Sequence, residues 1–276
     1  MDIEQIVKDI PKEKIYYQEK DIIIICSDCL EIMKEIPDES IYLVLTDPPY
    51  NISQKERKID RSKIQNRKIR HLVSKRRDKV SELCYDFGKW DFYNSVDEQL
   101  EFAEKWLKES YRILKKNGQI ISFYSKSEIS FFESIMLGIG FHVRQTLVWH
   151  KTNPVPQIFK VGYMSACEFL TWATKNTGAG HTFNYQLGQK HNVFVYPICQ
   201  GNERTGHPTQ KPVKLIKDLL NYHTNKNDVV LDCFMGSGTT LVVAKELGRQ
   251  GIGIEINKEY CDIAVRRIKS TTRPLF

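Results

Sequence analysis

The chain has 276 residues, 41% of them hydrophobic, and a net charge of +7, so it can bury the core of one large domain or two small ones. The longest apolar run, residues 22–25, is too short to cross a membrane, and the N-terminus lacks the basic-then-apolar order of a secretion signal. Of the seven scattered cysteines, only Cys26 and Cys29 have C-x-x-C spacing, and no second pair completes a zinc site. We therefore expect a reduced, soluble, cytoplasmic protein with no bound metal and no membrane partner.

The positive charge is concentrated in one segment. Residues 55–79 contain 12 Lys/Arg and 3 Asp/Glu, a net charge of +9, against +7 for the whole chain. Such a segment is either a solvated surface loop or an electrostatic contact to phosphates. Its place directly after a proline motif, described below, favours contact with nucleic acid.

Apolar runs alternate with helical patterns along the chain. The runs that predict strands are residues 21–26, 41–46, 119–125, 141–150, 168–174, 228–234 and 251–256. A short helix is expected from about residue 28 to Pro37, and longer helices at 96–116, 127–140, 212–223, 239–248 and 257–270. This alternation predicts an α/β fold: a doubly wound, mostly parallel sheet with helices on both faces. Two long segments, 51–94 and about 151–206 apart from the strand expected at 168–174, are otherwise irregular and are expected to be functional loop insertions.

The sequence DPPYN, residues 47–51, follows directly after the strand expected at 41–46. Proline fixes φ, lacks an N–H donor and restricts the residue before it, so Pro48 and Pro49 make a stiff turn between Asp47 and Tyr50. Ligands of doubly wound sheets bind at the carboxyl ends of strands. The tetrad 47–50 is therefore a candidate for a rigid functional turn rather than a merely structural one.

A second motif, LDCFMGSGTT, places Gly236 and Gly238 on a strand-to-helix turn. Glycine lets the backbone approach a ligand, and the start of a helix offers N–H groups to an anion. Glu255, at the end of the next strand, can accept hydrogen bonds from the two ribose hydroxyls of a nucleoside cofactor. Leu241 stands where a dinucleotide-binding fingerprint has its third glycine, so a nicotinamide cofactor fits less well. No Walker-type lysine follows, so a nucleoside triphosphatase also fits less well.

Together these motifs resemble the S-adenosylmethionine-dependent DNA amino-methyltransferases, in the permuted (beta) order that places the catalytic motif before the cofactor motif. DPPY at 47–50 is similar to their catalytic motif, and FMGSGTT at 234–240 to their cofactor motif. GIGIEINKEY at 251–260 is similar to their acid-ended strand, and HPTQKP at 207–212 to the segment before the cofactor motif. The resemblance covers nearly the whole chain from residue 21, and only the insertion at about 54–84 departs from it.

The resemblance implies a Rossmann-like methyltransferase fold and a single catalytic domain over residues 1–276. Within it we expect a basic insertion at about 51–94 and a candidate target-recognition region at about 151–206. The implied cofactor is S-adenosylmethionine and the implied partner is double-stranded DNA. The implied activity is site-specific transfer of a methyl group to the N6 amino group of adenine, by base flipping and direct in-line transfer, in a restriction–modification system. A cognate restriction endonuclease and a homodimer are further partners that the family suggests.

Several alternatives stay open at this point. Cytosine-N4 transfer uses the same chemistry, although family members that act on cytosine more often have Ser in place of Asp47. RNA and protein-glutamine methyltransferases usually show Asn there. A non-catalytic nucleic-acid-binding protein on the same fold would need neither motif intact, and a nicotinamide-dependent oxidoreductase stands last.

The candidate site residues come from the motifs, the resemblance and the charge pattern. The candidate catalytic residues are Asp47, Pro48, Pro49 and Tyr50. The candidate cofactor-binding residues are Asp28, Thr209, Lys211, Asp232, Phe234, Gly236, Ser237, Gly238, Thr239, Thr240 and Glu255. The resemblance implies that Asp28 lies near the adenine of the cofactor and that Thr209, Lys211, Ser237, Thr239 and Thr240 bind its methionine carboxylate. The candidate DNA-binding residues are Arg67, Lys68, Arg70, Lys75, Arg76 and Arg77 in the basic insertion, and Trp149, Lys151 and Asn153 beside the recognition region. His207 is either a turn residue or part of the site, and Trp149 has an alternative role in the core.

Overall fold

The structure is a computed structural model that describes residues 2–49, 96–157 and 161–273. The chain divides into two compact units, residues 1–48 with 100–276, and residues 49–99. The basic insertion lies outside the described residues, so the expected division into one catalytic domain with an insertion stays a prediction. Across the described ranges, no helix is both long and apolar enough to span a bilayer.

The larger unit is built on a twisted sheet whose described part has nine strands in the order β1-β2-β9-β8-β3-β4-β6-β5-β7. The strands are β1 (Ile15–Glu19), β2 (Ile22–Cys26), β3 (Ile41–Thr46), β4 (Leu114–Tyr124), β5 (His142–Lys151), β6 (Cys167–Thr174), β7 (Val193–Tyr196), β8 (Val229–Asp232) and β9 (Gln250–Glu255). Only β1 and β6 run antiparallel to their neighbours, while the other pairs are parallel. The doubly wound, mostly parallel fold predicted from the sequence is confirmed.

The described helices follow the strands as expected for βα units. They are α1 (Ile3–Ile6), α2 (Cys29–Glu35), α3 (Val96–Ile113), α4 (Ile129–Ile139), α5 (Val213–His223), α6 (Thr239–Glu246) and α7 (Lys258–Ser270). The side chains of Asp28 and Asn257 cap the N-termini of α2 and α7 by accepting hydrogen bonds from backbone N–H groups. The stripe Leu215, Ile216, Leu219 and Leu220 is buried in α5, as its helical spacing predicts.

The core lies along the central strands. All four isoleucines of residues 22–25 in β2 are fully buried, as are Leu43 and Val44 in β3 and Val230 and Leu231 in β8. Strands covered on both faces need apolar side chains at every position, which explains these continuous apolar runs.

Three local expectations were wrong. Helix α3 ends at Ile113 rather than near residue 116, because Leu114 already pairs with Ile41 and begins β4. The register of the β3–β4 pair shifts after that first pairing, and Gly118 lies inside β4. Strand β7 lies inside the segment 151–206 that was read as irregular, and β1 was also missed.

The topology brings the candidate motifs to one edge of the sheet. The parallel strands β2, β9, β8, β3 and β4 all point their carboxyl ends to this edge. Strand β5 ends there at Lys151, and the antiparallel β6 begins there at Cys167. Side chains at these positions can therefore meet in one site.

Candidate active site

The glycine motif forms the turn between β8 and α6. Gly236 and Gly238 have φ angles of 52° and 76°, in the left-handed region that favours glycine. A Cβ atom at Gly238 would lie 2.7 Å from the Cβ of Ala264, and one at Gly236 would lie 2.8 Å from Nε2 of His207. No side chain caps α6 at Gly238, so the first turn of this helix keeps N–H groups for a ligand.

Glu255 ends β9 directly beside this turn. Its Oε2 accepts a hydrogen bond from the backbone N–H of Gly236 at 2.8 Å, and its Oε1 accepts from that of Asn257 at 2.8 Å. Burial raises the pKa of Glu255, and these two N–H groups oppose the shift. A carboxylate offers about four acceptor positions, so Glu255 can still accept hydrogen bonds from ribose hydroxyls.

Asp28 reaches the same edge from the neighbouring strand. Cys26 pairs with Glu255 in the β2–β9 register, and Asp28 follows two residues later. Its Oδ1 accepts from the backbone N–H groups of Leu30 at 2.8 Å and Glu31 at 3.2 Å, which fixes the carboxylate at the start of α2. The structure therefore brings the predicted adenine contact and the predicted ribose contact together.

A cation that the sequence analysis missed supports the start of α6. Arg267 donates to the carbonyl oxygen of Ser237 at 2.7 Å, to its Oγ at 3.1 Å and to Oγ1 of Thr239 at 2.9 Å. Because both hydroxyl oxygens accept from the guanidinium, their own O–H groups remain as donors. Ser237 and Thr239 thus keep O–H groups that can donate to an anion, and their contact with the methionine carboxylate stays a prediction. Nothing in the sequence sets Arg267 apart from Arg266 and Lys269.

Asp232 connects the two motifs. Its Oδ1 accepts from the hydroxyl of Thr46 at 2.7 Å and its Oδ2 from the hydroxyl of Thr240 at 2.6 Å. Burial raises the pKa of Asp232 to about 6 against these hydrogen bonds, which lower it. Thr46 immediately precedes Asp47, so Asp232 ties the catalytic turn to the first turn of α6. A direct contact of Asp232 or Thr240 with the cofactor stays a prediction.

His207 and Phe234 line the same turn. Burial, followed by the charges of Lys211 and Arg267, lowers the pKa of His207 to about 4, so its ring is neutral at pH 7. Its buried Nδ1 has no hydrogen-bond partner in the described part of the chain, although buried polar atoms are rarely left unpaired. Phe234 is half-buried and packs edge-on against Trp106 at 5.6 Å. A nucleoside cofactor fits this turn, because the turn offers the unpaired Nδ1 of His207, two required glycines and the aromatic face of Phe234.

Lys211 contacts the carboxylate of Asp47, a candidate catalytic residue. It was expected at the methionine carboxylate with Thr209, but its Nζ donates to Oδ2 of Asp47 and lies 3.4 Å from Oε2 of Glu168. The carbonyl of Thr209 is a further acceptor at 3.4 Å. Burial lowers the pKa of Lys211, but the carboxylates of Asp47 and Glu168 outweigh it and raise the pKa, so the ammonium persists.

The remainder of the catalytic motif is described in part. Pro48 is buried, and within the described residues its carbonyl accepts no hydrogen bond. Tyr50 lies outside the described residues, as do all six basic candidates of the insertion. Their roles stay predictions.

The three candidates beside the recognition region all have partners inside the protein. Trp149 is buried and its indole N–H donates to the carbonyl of Tyr196 at 2.9 Å, which favours the core role left open above. Lys151 forms an ion pair with Glu168 at 2.8 Å. The Oδ1 of Asn153 accepts from the backbone N–H of Ile198 at 2.8 Å. Contacts of these side chains with DNA stay predictions.

Comparison with known proteins identifies the class of protein. The model of the N6/N4 DNA methylase family matches residues 41–266. The Type II methyltransferase M.HinfI of Haemophilus influenzae is 36% identical over 260 residues, which are 89% of this chain and 68% of that protein. The Type II methyltransferase M2.LlaDCHI of Lactococcus lactis subsp. cremoris is 31% identical over 265 residues, 92% of each chain. The chain belongs to the N6/N4 DNA methylase family, the S-adenosylmethionine-dependent DNA amino-methyltransferases.

Solved structures agree with this assignment. The crystal structure of the M1.HpyAVI complex with S-adenosylmethionine is 30% identical, with a TM-score of 0.65 over 90% of this chain and 98% of that one. The PvuII methyltransferase, which is cytosine-N4-specific, is 20% identical with a TM-score of 0.69 over 92% of this chain and 88% of that one. At that identity the likeness shows the fold alone. The expected fold, family and cofactor are confirmed, whereas the target base is not.

Proposed function

We propose that this protein methylates the N6 amino group of adenine in double-stranded DNA. The observation that carries the proposal is the hydrogen-bonded link Thr46–Asp232–Thr240, which holds Asp47 and Pro48 next to the glycine turn and Glu255. One edge of the sheet therefore presents a nucleoside site and two acceptors for an amino group side by side.

The chemistry follows from the weak nucleophilicity of an exocyclic amino group, whose lone pair is delocalised into the ring. The Asp47 carboxylate and the Pro48 carbonyl can each accept one of its two N–H groups, which favours a pyramidal nitrogen with a localised lone pair. When bound, S-adenosylmethionine would supply a methyl group on a sulfonium. An N–C bond to this methyl group would form as its C–S bond breaks, which leaves a neutral thioether, and one N–H proton would pass to solvent. The prolines fix the carbonyl direction, so most of the rate comes from orientation and preorganised electrostatics.

The target base must leave the helix to reach this site. A base stacked in a duplex cannot place its amino group against Asp47, so the enzyme flips it out, as other enzymes that act on bases do. Tyr50, by the family pattern, stacks on the flipped base. The basic insertion at about 51–94 contacts phosphates, and residues of about 151–206 read the sequence through base edges.

Adenine is favoured over cytosine by one residue. Family members that act on cytosine N4 more often carry Ser in the first position of the catalytic tetrad, where this chain has Asp47. The relatives named above are called Type II methyltransferases, which supports a role in restriction–modification with a cognate endonuclease in the cytoplasm. Homodimerisation remains part of the proposal through family likeness alone. Cytosine-N4 methylation is the second candidate, because the family covers both bases.

The direct test is methylation of a random DNA library with S-adenosylmethionine, followed by sequencing that detects modified bases. We expect N6-methyladenine within one short recurring sequence. N4-methylcytosine would replace the proposal by its alternative, and unmodified DNA from a protein that binds S-adenosylmethionine would refute both.

A further inference from the structure

Four charged side chains of alternating sign follow one another along the sheet edge. Asp47 directly follows β3, and Lys211 lies in the loop before α5. Glu168 lies at the start of β6, and Lys151 at the end of β5. Lys211 donates to Asp47 and lies 3.4 Å from Oε2 of Glu168, while Lys151 lies 2.8 Å from Oε1 of the same carboxylate. Their side chains are only 9–27% exposed, so solvent screens these contacts weakly.

Glu168 makes the position of Lys211 specific. The Nζ of Lys211 also lies 4.7 Å from the ring centroid of Phe123, so an aromatic face and two carboxylates surround the ammonium. Because Glu168 also attracts the ammonium of Lys211, this ammonium stays beside Asp47 and does not turn to other acceptors. A carboxylate offers about four acceptor positions, so the contact with Lys211 does not by itself prevent Asp47 from accepting a hydrogen bond from an amino group.

The charge balance favours transfer as well as position. As the amino nitrogen bonds to the methyl carbon, positive charge develops on it beside Asp47. Lys211 offsets part of the charge of Asp47, Glu168 offsets part of the charge of Lys211, and Lys151 pairs in turn with Glu168, so the four groups together carry no net charge. Within this row the Asp47 carboxylate is the group beside the amino nitrogen, and a preorganised negative group at that place stabilises the developing cation.

We propose that Glu168 is a positioning residue that, through Lys211, orients the Asp47 carboxylate and sets the charge around it. This inference rests on the proposed function of Asp47. Glu168 does not contact the reacting atoms itself. Nothing in the sequence motifs assigns it a role, because it lies in a strand of ordinary composition.

The arrangement predicts a specific pH dependence. Burial lowers the pKa of Lys211, and the charges of Asp47 and Glu168 raise it by more. The other titratable groups that feel Lys211 are His207, neutral with a pKa of about 4, and Cys199, whose pKa burial raises to about 11. Lys151 is separated from it by Glu168. Removing the charge of Glu168 therefore lowers the pKa of Lys211, and the alkaline limb of the kcat profile moves to lower pH.

The test compares Glu168→Gln with Glu168→Asp, using the full chain. Glu246→Gln is the matched control, because it breaks the ion pair with Lys217 on the α5–α6 surface, away from Asp47. For Glu168→Gln we expect kcat to fall about 10- to 100-fold, with unchanged affinity for S-adenosylmethionine and an alkaline limb at lower pH. Glu168→Asp should restore both in part, and Glu246→Gln should match the wild type.

Every result of these measurements either supports or overturns the inference about Glu168. A wild-type kcat and pH profile for Glu168→Gln would overturn the inference, and so would a lower kcat with an unshifted pH profile, which indicates a structural role only. Asp47→Ala, measured in parallel, distinguishes failure of the proposed function from failure of this inference. If Asp47→Ala remains active, the proposed function itself fails; if it is inactive while Glu168→Gln behaves as wild type, only this inference fails.

Discussion

At the end of β9, backbone N–H groups of Gly236 and Asn257 hold the Glu255 carboxylate, whereas at the end of β3 the side chain of Lys211 holds Asp47. Backbone donors are fixed by the turn itself and cost no side-chain entropy. The Glu255 carboxylate, on the proposed cofactor side, is therefore held rigidly. The proposed catalytic side depends on charged side chains from three separate segments, and fixing their positions costs side-chain entropy. The two carboxylates are therefore held by different means, backbone N–H groups on the proposed cofactor side and side-chain ion pairs on the proposed catalytic side.

Removing the catalytic acceptor should have the largest effect. In Asp47→Ala the amino group loses its anionic acceptor, and we expect methyl transfer to fall at least about 10²- to 10³-fold, the cost of losing one preorganised group in an active site. Asp47→Asn should retain more activity, since its amide oxygen still accepts. Transfer of labelled methyl groups to DNA measures both, and wild-type transfer by Asp47→Ala would contradict the mechanism.

Substitution of the cofactor acid should affect binding instead. Glu255→Ala removes the acceptor of the ribose hydroxyls and of two backbone N–H groups, so we expect S-adenosylmethionine binding to weaken by about 1–3 kcal/mol. Calorimetry on the folded variant measures this, with the exposed Glu259→Ala on α7 as the control. Equal affinities for the two variants would remove Glu255 from the site.

The rigidity of the glycine turn can be tested through stability. Gly238→Ala adds a Cβ atom 2.7 Å from that of Ala264 at a φ of 76°, and we expect the free energy of unfolding to fall by about 1–3 kcal/mol. The control is Gly138→Ala in α4, where a Cβ atom meets nothing within 4 Å and should stabilise by about 0.5–1 kcal/mol. Urea unfolding of both variants measures the difference; similar values would mean that the turn tolerates a side chain.

The smallest effect on catalysis is expected from the basic insertion. Replacing Arg67, Lys68, Arg70, Lys75, Arg76 and Arg77 by Gln should weaken DNA binding on all sequences and reduce the salt slope by about 0.9 per lost phosphate contact. The methylated site should not change, because phosphate contacts carry no sequence information. Titrations across salt concentrations, combined with a site readout, check both halves. An unchanged salt slope would indicate that the segment is a solvated loop. A changed methylation site would indicate that the segment takes part in sequence recognition.

Local patterns predicted the parts of the molecule that depend on local physics. The strand-to-helix turn at Gly236 and Gly238, the buried runs of β2, β3 and β8, and the position of Asp47 at a strand end all follow from neighbours in the chain. The edge strand β7 was missed because only one of its four residues, Phe194, is buried. Such a short half-exposed strand gives little periodic signal.

Contacts between distant segments could not be predicted from the sequence. Lys211 meets Asp47 across 164 positions of the chain, and Thr46 meets Asp232 across 186. Arg267 and Glu168 look like ordinary charged residues of a helix and a strand until the fold brings them to the site. The resemblance places Lys211 with the cofactor, which stays a prediction, but motifs do not specify the contact of its ammonium with Asp47.

The contrast between the two carboxylates is tested most directly by the single-turnover rate of methyl transfer at saturating S-adenosylmethionine, measured for Asp47→Ala and Glu255→Ala. If the cofactor side binds and the catalytic side transfers, saturation should return Glu255→Ala close to the wild-type rate and leave Asp47→Ala slow. A Glu255→Ala variant that stays slow at saturation, or an Asp47→Ala variant that recovers there, would contradict this division of roles.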